Sequence, residues 1–207
     1  MSFKKNKYTI IRKAIDKDLA LFLYNYFLMK RQVYDTCLQE RYFSPFETAF
    51  GFYEDKDSQI PNTYSHYSDV AMETLMLKCQ PVMEKATQLK LYPAYTYARI
   101  YKKGDILKRH RDRFSCEIST TMNLGGDKWS IYLEPSGELG KKGIKVDLSP
   151  GDMLVYRGCE LEHWREKFKG KVSAQVFLHY NNTKTKFARD NMFDKRKHLG
   201  LPNWFKK

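Results

Sequence analysis

Between about residue 92 and residue 182 apolar and polar residues alternate in short runs, and this period of two constrains the fold more than any other feature. The runs at 95–101, 116–124, 129–133, 144–148, 152–157 and 172–180 read as strands. Turn signals separate them, among them Gly125-Gly126-Asp127, Pro135-Ser136-Gly137 and Ser149-Pro150-Gly151-Asp152. Short strands punctuated in this way predict a mainly β (α+β) protein, with an antiparallel double sheet of jelly-roll type at its core.

The residues before this region carry the period of helices instead. After a strand-like run, Tyr8-Thr9-Ile10-Ile11, Asp16 is a candidate N-cap for a helix whose Leu19, Phe22, Leu23, Tyr26 and Phe27 form an apolar stripe. A second helix is expected from near Ser68, with Met72, Leu75, Met76 and Cys79 on one face and Pro81 kinking or ending it. Residues 50 to 67 read as strand, loop, strand, and their polar, aromatic loop is a candidate substrate lid. The chain of 207 residues then divides into helical support over 1–91, a β core over 92–182 and a basic segment over 183–207, all within one domain.

Hydrophobic residues make up 42% of the chain, enough to fold it. No stretch reaches the roughly 20 apolar residues of a membrane helix, and Met1-Ser2-Phe3-Lys4-Lys5-Asn6-Lys7 lacks the apolar core of a secretory signal. Cys37, Cys79, Cys116 and Cys159 stand singly, without paired metal or redox spacing, so a reducing cytoplasm is the expected home. The net charge of +13 raises the question of a polyanion partner. Much of the excess lies near the ends, at Lys4, Lys5, Lys7, Arg12 and Lys13 and at Lys184, Lys186, Arg189, Lys195, Arg196, Lys197, Lys206 and Lys207. Solvated ends are the preferred reading over a nucleic-acid surface, and the oligomeric state is left open.

Chemistry enters at His110-Arg111-Asp112. On an extended segment, residues two apart project from the same face, so this His and Asp can bind one ion. His163, after the run Pro150-Gly151-Asp152-Met153-Leu154-Val155-Tyr156, supplies a third ligand. Two imidazoles and one carboxylate on one side of an ion leave three positions open, an arrangement suited to non-haem Fe(II).

The run Tyr97-Ala98-Arg99-Ile100-Tyr101-Lys102-Lys103-Gly104-Asp105-Ile106-Leu107-Lys108-Arg109-His110-Arg111-Asp112 resembles the tyrosine, glycine and His-x-Asp pattern of the 2-oxoglutarate and Fe(II)-dependent dioxygenases, in particular the prolyl 4-hydroxylase superfamily. Pro150-Gly151-Asp152, then His163, then Lys171-Val172-Ser173 opening a last strand, agree with that family in order and spacing. The resemblance covers about residues 92 to 182 and implies a double-stranded β-helix of cupin-like form holding Fe(II) at His110, Asp112 and His163.

It also implies a 2-oxoglutarate co-substrate whose distal carboxylate needs a cation. Lys171 is the residue so assigned, with Ser173 as a further donor; the other reading makes Lys167, Lys169 and Lys171 one solvated basic loop. Tyr101 matches the family tyrosine before the glycine turn, and is otherwise a buried strand aromatic. Ile118, Thr120 and Met122 share one strand face, which by resemblance lines the co-substrate pocket together with Ile131, and is otherwise ordinary barrel core. Trp164 and Arg165 are assigned to the substrate entrance, a packed Trp with a rim Arg being the equal alternative, and Arg113 and Tyr67 are further substrate contacts. His66, His179 and His198 match no pattern, and His179 reads as a strand or pocket histidine.

The resemblance implies hydroxylation of an unactivated C–H bond with release of succinate and CO2, ascorbate helping to keep the iron reduced. Proline in a peptide or protein is the leading substrate, and a free amino acid or other small molecule the alternative. Demethylation of nucleic acid fits less well, because those relatives usually carry an arginine pair where Lys171-Val172-Ser173 stands. A basic binding barrel without catalysis leaves the three ligands unexplained.

Overall fold

The computed structural model describes residues 3–44, 46–57 and 59–206, so Lys207 lies outside the described residues. A short helix α1 (Phe3–Asn6) leads into strand β1 (Tyr8–Ile11) and the long helix α2 (Lys17–Gln39). The Asp16 carboxylate accepts the Leu19 N–H at 2.8 Å, the N-cap that the sequence predicts. Strands β2 (Phe52–Tyr53) and β3 (Tyr64–Tyr67) form the expected strand, loop, strand unit before helix α3 (Val70–Thr87).

Two expectations about the helices need correction. The buried stripe of α2 is Ala20, Leu23, Phe27 and Tyr34, whereas Phe22 points outward at 67% exposure. Phe22 precedes Leu23 by one residue, about 100° around the helix, so both cannot face one sheet. Pro81 does not end α3, which is capped by Asp69 and runs on to Thr87. Met83 and Thr87, beyond the proline, are buried, and their packing outweighs the cost of about 3 kcal/mol for an interior proline.

The remaining strands are β4 (Leu91–Lys102), β5 (Leu107–His110), β6 (Ile118–Gly126), β7 (Ile131–Leu133), β8 (Ile144–Val146), β9 (Met153–Arg157), β10 (His163–Arg165) and β11 (Val172–Asn182). They build a seven-stranded sheet of order β1-β9-β6-β11-β4-β3-β2 and a four-stranded sheet of order β5-β10-β7-β8, with all ladders between them antiparallel. This is the double-sheet jelly roll expected from the alternation, with β5 and β10 as short additions that periodicity did not reveal.

Both faces of the large sheet are buried. Phe27, Met72, Met76 and Met83 of the helices pack with Ile118, Met122, Leu124, Val176 and Leu178 of the sheet. On the opposite face Ile131, Leu133, Leu154, Tyr156 and Leu161 form one cluster, and Tyr101, Leu107, Trp129 and Phe168 another. The C-terminal segment is tied down as well. Arg196, expected as solvated charge, is buried and donates to the Glu73 carboxylate at 2.8 Å and to the Ala94 carbonyl at 3.1 Å. Among the described residues no helix is long and apolar enough to cross a membrane.

The rotated stripe of α2 is testable. Phe27→Ala should lower unfolding free energy by about 3–5 kcal/mol, and Phe22→Ala by no more than about 0.5 kcal/mol. Urea denaturation of the two variants measures the contrast, and equal losses would contradict the helix orientation.

Candidate metal centre

The antiparallel register of β5 and β10 puts His110 opposite His163, with ring centroids 4.2 Å apart. Asp112 follows two residues after His110, its N–H bonded to the Gly158 carbonyl at 2.9 Å. Asp112 Oδ1 then lies 3.4 Å from His163 Nε2 and 3.7 Å from His110 Nε2. One ligand atom from each of the three residues falls within 4.8 Å of the others.

The outer nitrogens prepare the rings for a metal. His110 Nδ1 faces the Lys108 carbonyl at 2.8 Å and His163 Nδ1 faces the Leu161 carbonyl at 3.2 Å. A carbonyl only accepts, so each Nδ1 carries the proton and each Nε2 turns a lone pair toward the shared point. Burial, reinforced by the neighbouring His163, lowers the His110 pKa and favours this neutral state. Asp112 stays a carboxylate: burial opposes its charge, but its pKa lies well below the usual range, with the Ser119 hydroxyl donating to Oδ2 at 2.6 Å. Two neutral imidazoles and one carboxylate suit a divalent first-row ion such as Fe(II).

Gly158 closes the back of the carboxylate. A Cβ built there would stand 2.3 Å from Asp112 Oδ2, 2.5 Å from Ser119 Oγ and 2.6 Å from the Cys116 carbonyl. No side chain fits, which accounts for glycine after the β9 strand.

The three ligands open onto a cavity of about 470 Å³. Tyr95, Tyr97, Arg99 and Tyr101 line it from alternate positions of β4, and Phe177 and His179 from β11 beside them. Tyr156 and Ile131 contribute from β9 and β7, and Glu54, Asp57 and Gln59 from the loop between β2 and β3. The Arg99 guanidinium is closed by Asp57, the Tyr97 hydroxyl at 2.9 Å and the Ser65 hydroxyl at 2.9 Å.

Of the residues singled out in the sequence, the structure brings Tyr101, Ile131 and Arg113 to this cavity. Lys171 is not among them. It is exposed at the start of β11, its backbone N–H donating to Asp127 at 2.6 Å, so the solvated-loop reading applies to it. Ser173 is buried, accepts from the Gln175 amide at 3.1 Å and pairs in register with Tyr101. Ile118 and Met122 point away from the cavity into the helix-facing core, and Thr120, between them, accepts the Leu178 N–H at 3.1 Å. The residues on the other face of β6 are Ser119 and Thr121. On a strand buried on both sides a shift of one residue exchanges the faces, and the alternation carries no sign of which is inner.

The same alternation separates Trp164 from its neighbours. Its ring stacks on Tyr132 with centroids 5.5 Å apart and lies under the Arg109 guanidinium at 3.6 Å, so it does not border the cavity. Tyr67 stands one layer back, stacked on Tyr95 at 5.0 Å with its hydroxyl donating to Asp194 at 2.6 Å. Asp194 also accepts from Arg113 at 3.0 Å.

Arg165, assigned to the entrance, is instead buried at 1% exposure. Its guanidinium donates to the Trp129 carbonyl, to Thr121 Oγ1 at 3.1 Å and to Gln175 Oε1 at 3.3 Å, while its Nε has no partner. Among the described residues no carboxylate pairs with it, and burial pulls its pKa down to about 10. Tyr101 and Tyr156, both lining the cavity, are the groups whose phenols act on its charge.

No family model matches the sequence, and no curated protein does either. Solved structures match the fold. A prolyl-4-hydroxylase from Pseudomonas putida superposes with a TM-score of 0.54 at 13% identity, over 87% of this chain and 95% of that one. A Burkholderia pseudomallei oxidoreductase of the 2OG-Fe(II) oxygenase family gives 0.58 at 13% identity, over 87% and 88%. AviO1 from Streptomyces viridochromogenes gives 0.63 at 13% identity, over 90% and 94%. The fold is that of the 2-oxoglutarate oxygenases.

Gly158→Ala tests the centre without touching a ligand. The added methyl should displace the Asp112 carboxylate and weaken Mn(II) binding about tenfold or more, measured by equilibrium dialysis. Unchanged affinity would remove Asp112 from the coordination sphere.

Proposed function

We propose that this chain is an Fe(II)- and 2-oxoglutarate-dependent dioxygenase that hydroxylates an unactivated C–H bond, with proline in a peptide or protein as its substrate. The observation that carries this reading is the meeting of His110 Nε2, His163 Nε2 and an Asp112 oxygen at the wall of a cavity, in a chain that also buries an arginine without an acid. When bound, Fe(II) with 2-oxoglutarate supplies the activation of O2 that oxidises a C–H bond and yields succinate and CO2.

The chain's own residues bind, orient and exclude water. Arg165 takes the place first assigned to Lys171. A buried guanidinium without a counter-charge costs several kcal/mol, and the distal carboxylate of 2-oxoglutarate is an anion that would offset this cost. Thr121 and Gln175 hold the guanidinium as neutral acceptors, with no acid beside it among the described residues. Tyr101, which lines the cavity, also acts on the charge of this cation, and Ile131, Leu107 and Phe177 keep the lining apolar around the reacting centre.

On the opposite side, Tyr95, Tyr97 and the loop residues Glu54, Asp57 and Gln59 form the substrate wall. Aromatic faces of this kind accept the flat apolar ring of proline, and Arg113, lying over the Tyr95 ring at 4.7 Å, has N–H groups to offer a peptide carbonyl. A prolyl-4-hydroxylase among the structures of the same fold supports the substrate class.

Succinate release from 2-oxoglutarate, with Fe(II) and with ascorbate to keep the metal ferrous, tests the reading. Asp112→Ala should abolish both iron retention and turnover. Arg165→Gln should raise the 2-oxoglutarate KM about a hundredfold, the effect of breaking a buried charge pair, while Lys171→Gln leaves it within about twofold, as for an exposed pair. The reverse pattern would return the carboxylate to Lys171. Mass spectrometry of peptides incubated with the active protein should find one added oxygen on proline, and addition only elsewhere would exclude the prolyl substrate.

A further inference from the structure

Asp112 has two oxygens, and the geometry of the centre requires only one. Oδ1 faces both imidazoles, at 3.4 Å and 3.7 Å. Oδ2 is turned away and accepts from Ser119 Oγ at 2.6 Å. That hydroxyl is contested, because it also lies 2.9 Å from the Cys116 carbonyl and 3.1 Å from His179 Nδ1. A hydroxyl has one proton to give. If His179 Nδ1 were a bare lone pair, three acceptors would compete for it.

A protonated Nδ1 resolves the competition. It donates to Ser119 Oγ and leaves the serine proton for an oxygen acceptor, of which the charged carboxylate at 2.6 Å is the stronger. Ser119 is fully buried and His179 nearly so, and the His179 ring packs on Tyr95 with centroids 4.6 Å apart. Packing on the tyrosine fixes the ring plane, and the fixed plane aims Nδ1.

We propose that His179 and Ser119 are positioning residues. The relay from His179 Nδ1–H to Ser119 Oγ–H to Asp112 Oδ2 holds the carboxylate as a one-oxygen ligand. Without it the serine proton turns to the Cys116 carbonyl, Oδ2 is released, and the carboxylate can swing to offer both oxygens and fill a position needed for ligands. The inference rests on the metal centre described above, but not on the identity of the co-substrate or substrate.

Co(II) alone is the probe, read by its visible d–d bands and by its dissociation constant in the full chain. His179→Phe keeps the ring on Tyr95 and removes the donor, and should shift the bands and weaken Co(II) about tenfold. His179→Asn, whose amide nitrogen reaches the place of Nδ1, should restore both. Ser119→Ala should reproduce the His179→Phe spectrum, and the double variant should add little further, as expected for two members of one chain; it also reads the contact if Phe at 179 disturbs folding. Bands and affinity unchanged in His179→Phe and Ser119→Ala, with only the melting temperature lowered, would overturn the relay, as would equal losses in His179→Phe and His179→Asn. Wild-type protein that takes up no Co(II) would overturn the metal centre and the relay together.

Discussion

The register of one short strand pair governs this site. β5 and β10 are only four and three residues long, yet their pairing sets His110 against His163. A slip of one residue on either strand would turn an imidazole out of the cavity and bring Arg109 or Trp164 in its place. The pair is too short to hold its register by backbone bonds alone. β7 pairs with the other side of β10, His163 opposite Leu133 and Trp164 opposite Tyr132. The stack of Arg109, Trp164 and Tyr132 on the outer face, at 3.6 Å and 5.5 Å, locks the side chains that must stay outside. Trp164, which looks like an entrance residue in the sequence, thus helps to secure the registry that makes the metal site.

Two of the buried arginines, Arg99 and Arg165, stand in opposite electrostatic states. Arg99 is matched by Asp57, with Ser65 and Tyr97 completing its bonds, so its charge is internally balanced. Arg165 has only neutral acceptors and an unpaired Nε. Breaking a buried pair typically costs 3–5 kcal/mol, and a site that buries one cation without its partner is in the same position until an anion arrives. Arg99, which lines the cavity, is already saturated, whereas Arg165, which is not among the lining residues, keeps an unpaired charge.

Much of this was legible from sequence because it depends on local rules. The turns, the strand alternation, the Asp16 cap and the three ligands follow from residue type and spacing. What remained hidden depends on facts that spacing does not carry. β4, β6 and β11 are buried on both faces, so alternation reveals two faces without saying which is inner, and nothing in it prefers the face of Ser119 and Thr121 to that of Ile118, Thr120 and Met122. The partner set of Tyr101 held the missing information. Once Tyr101 is accepted as inward, its register mate Ser173 is inward, and Gln175, Phe177 and His179 follow at intervals of two. Lys171 is also an odd position on that count, but it stands before the strand begins, beyond the reach of the alternation.

Arg165 could not have been found by the same counting. Its position two residues after His163 does place both on one face of β10, but a charged residue on an inward face is ordinarily read as an exit to the rim, since burying it alone is unfavourable. Only tertiary structure distinguishes a rim arginine from one enclosed by Trp129, Thr121 and Gln175. The unfavourable burial is informative for that reason. A fold tolerates an unpaired interior charge where some ligand offsets it in use, and here the charge lies on the same strand as a metal ligand. Arg165 and the ligand His163 thereby share one face of a single short strand, whose register the aromatic stack outside maintains.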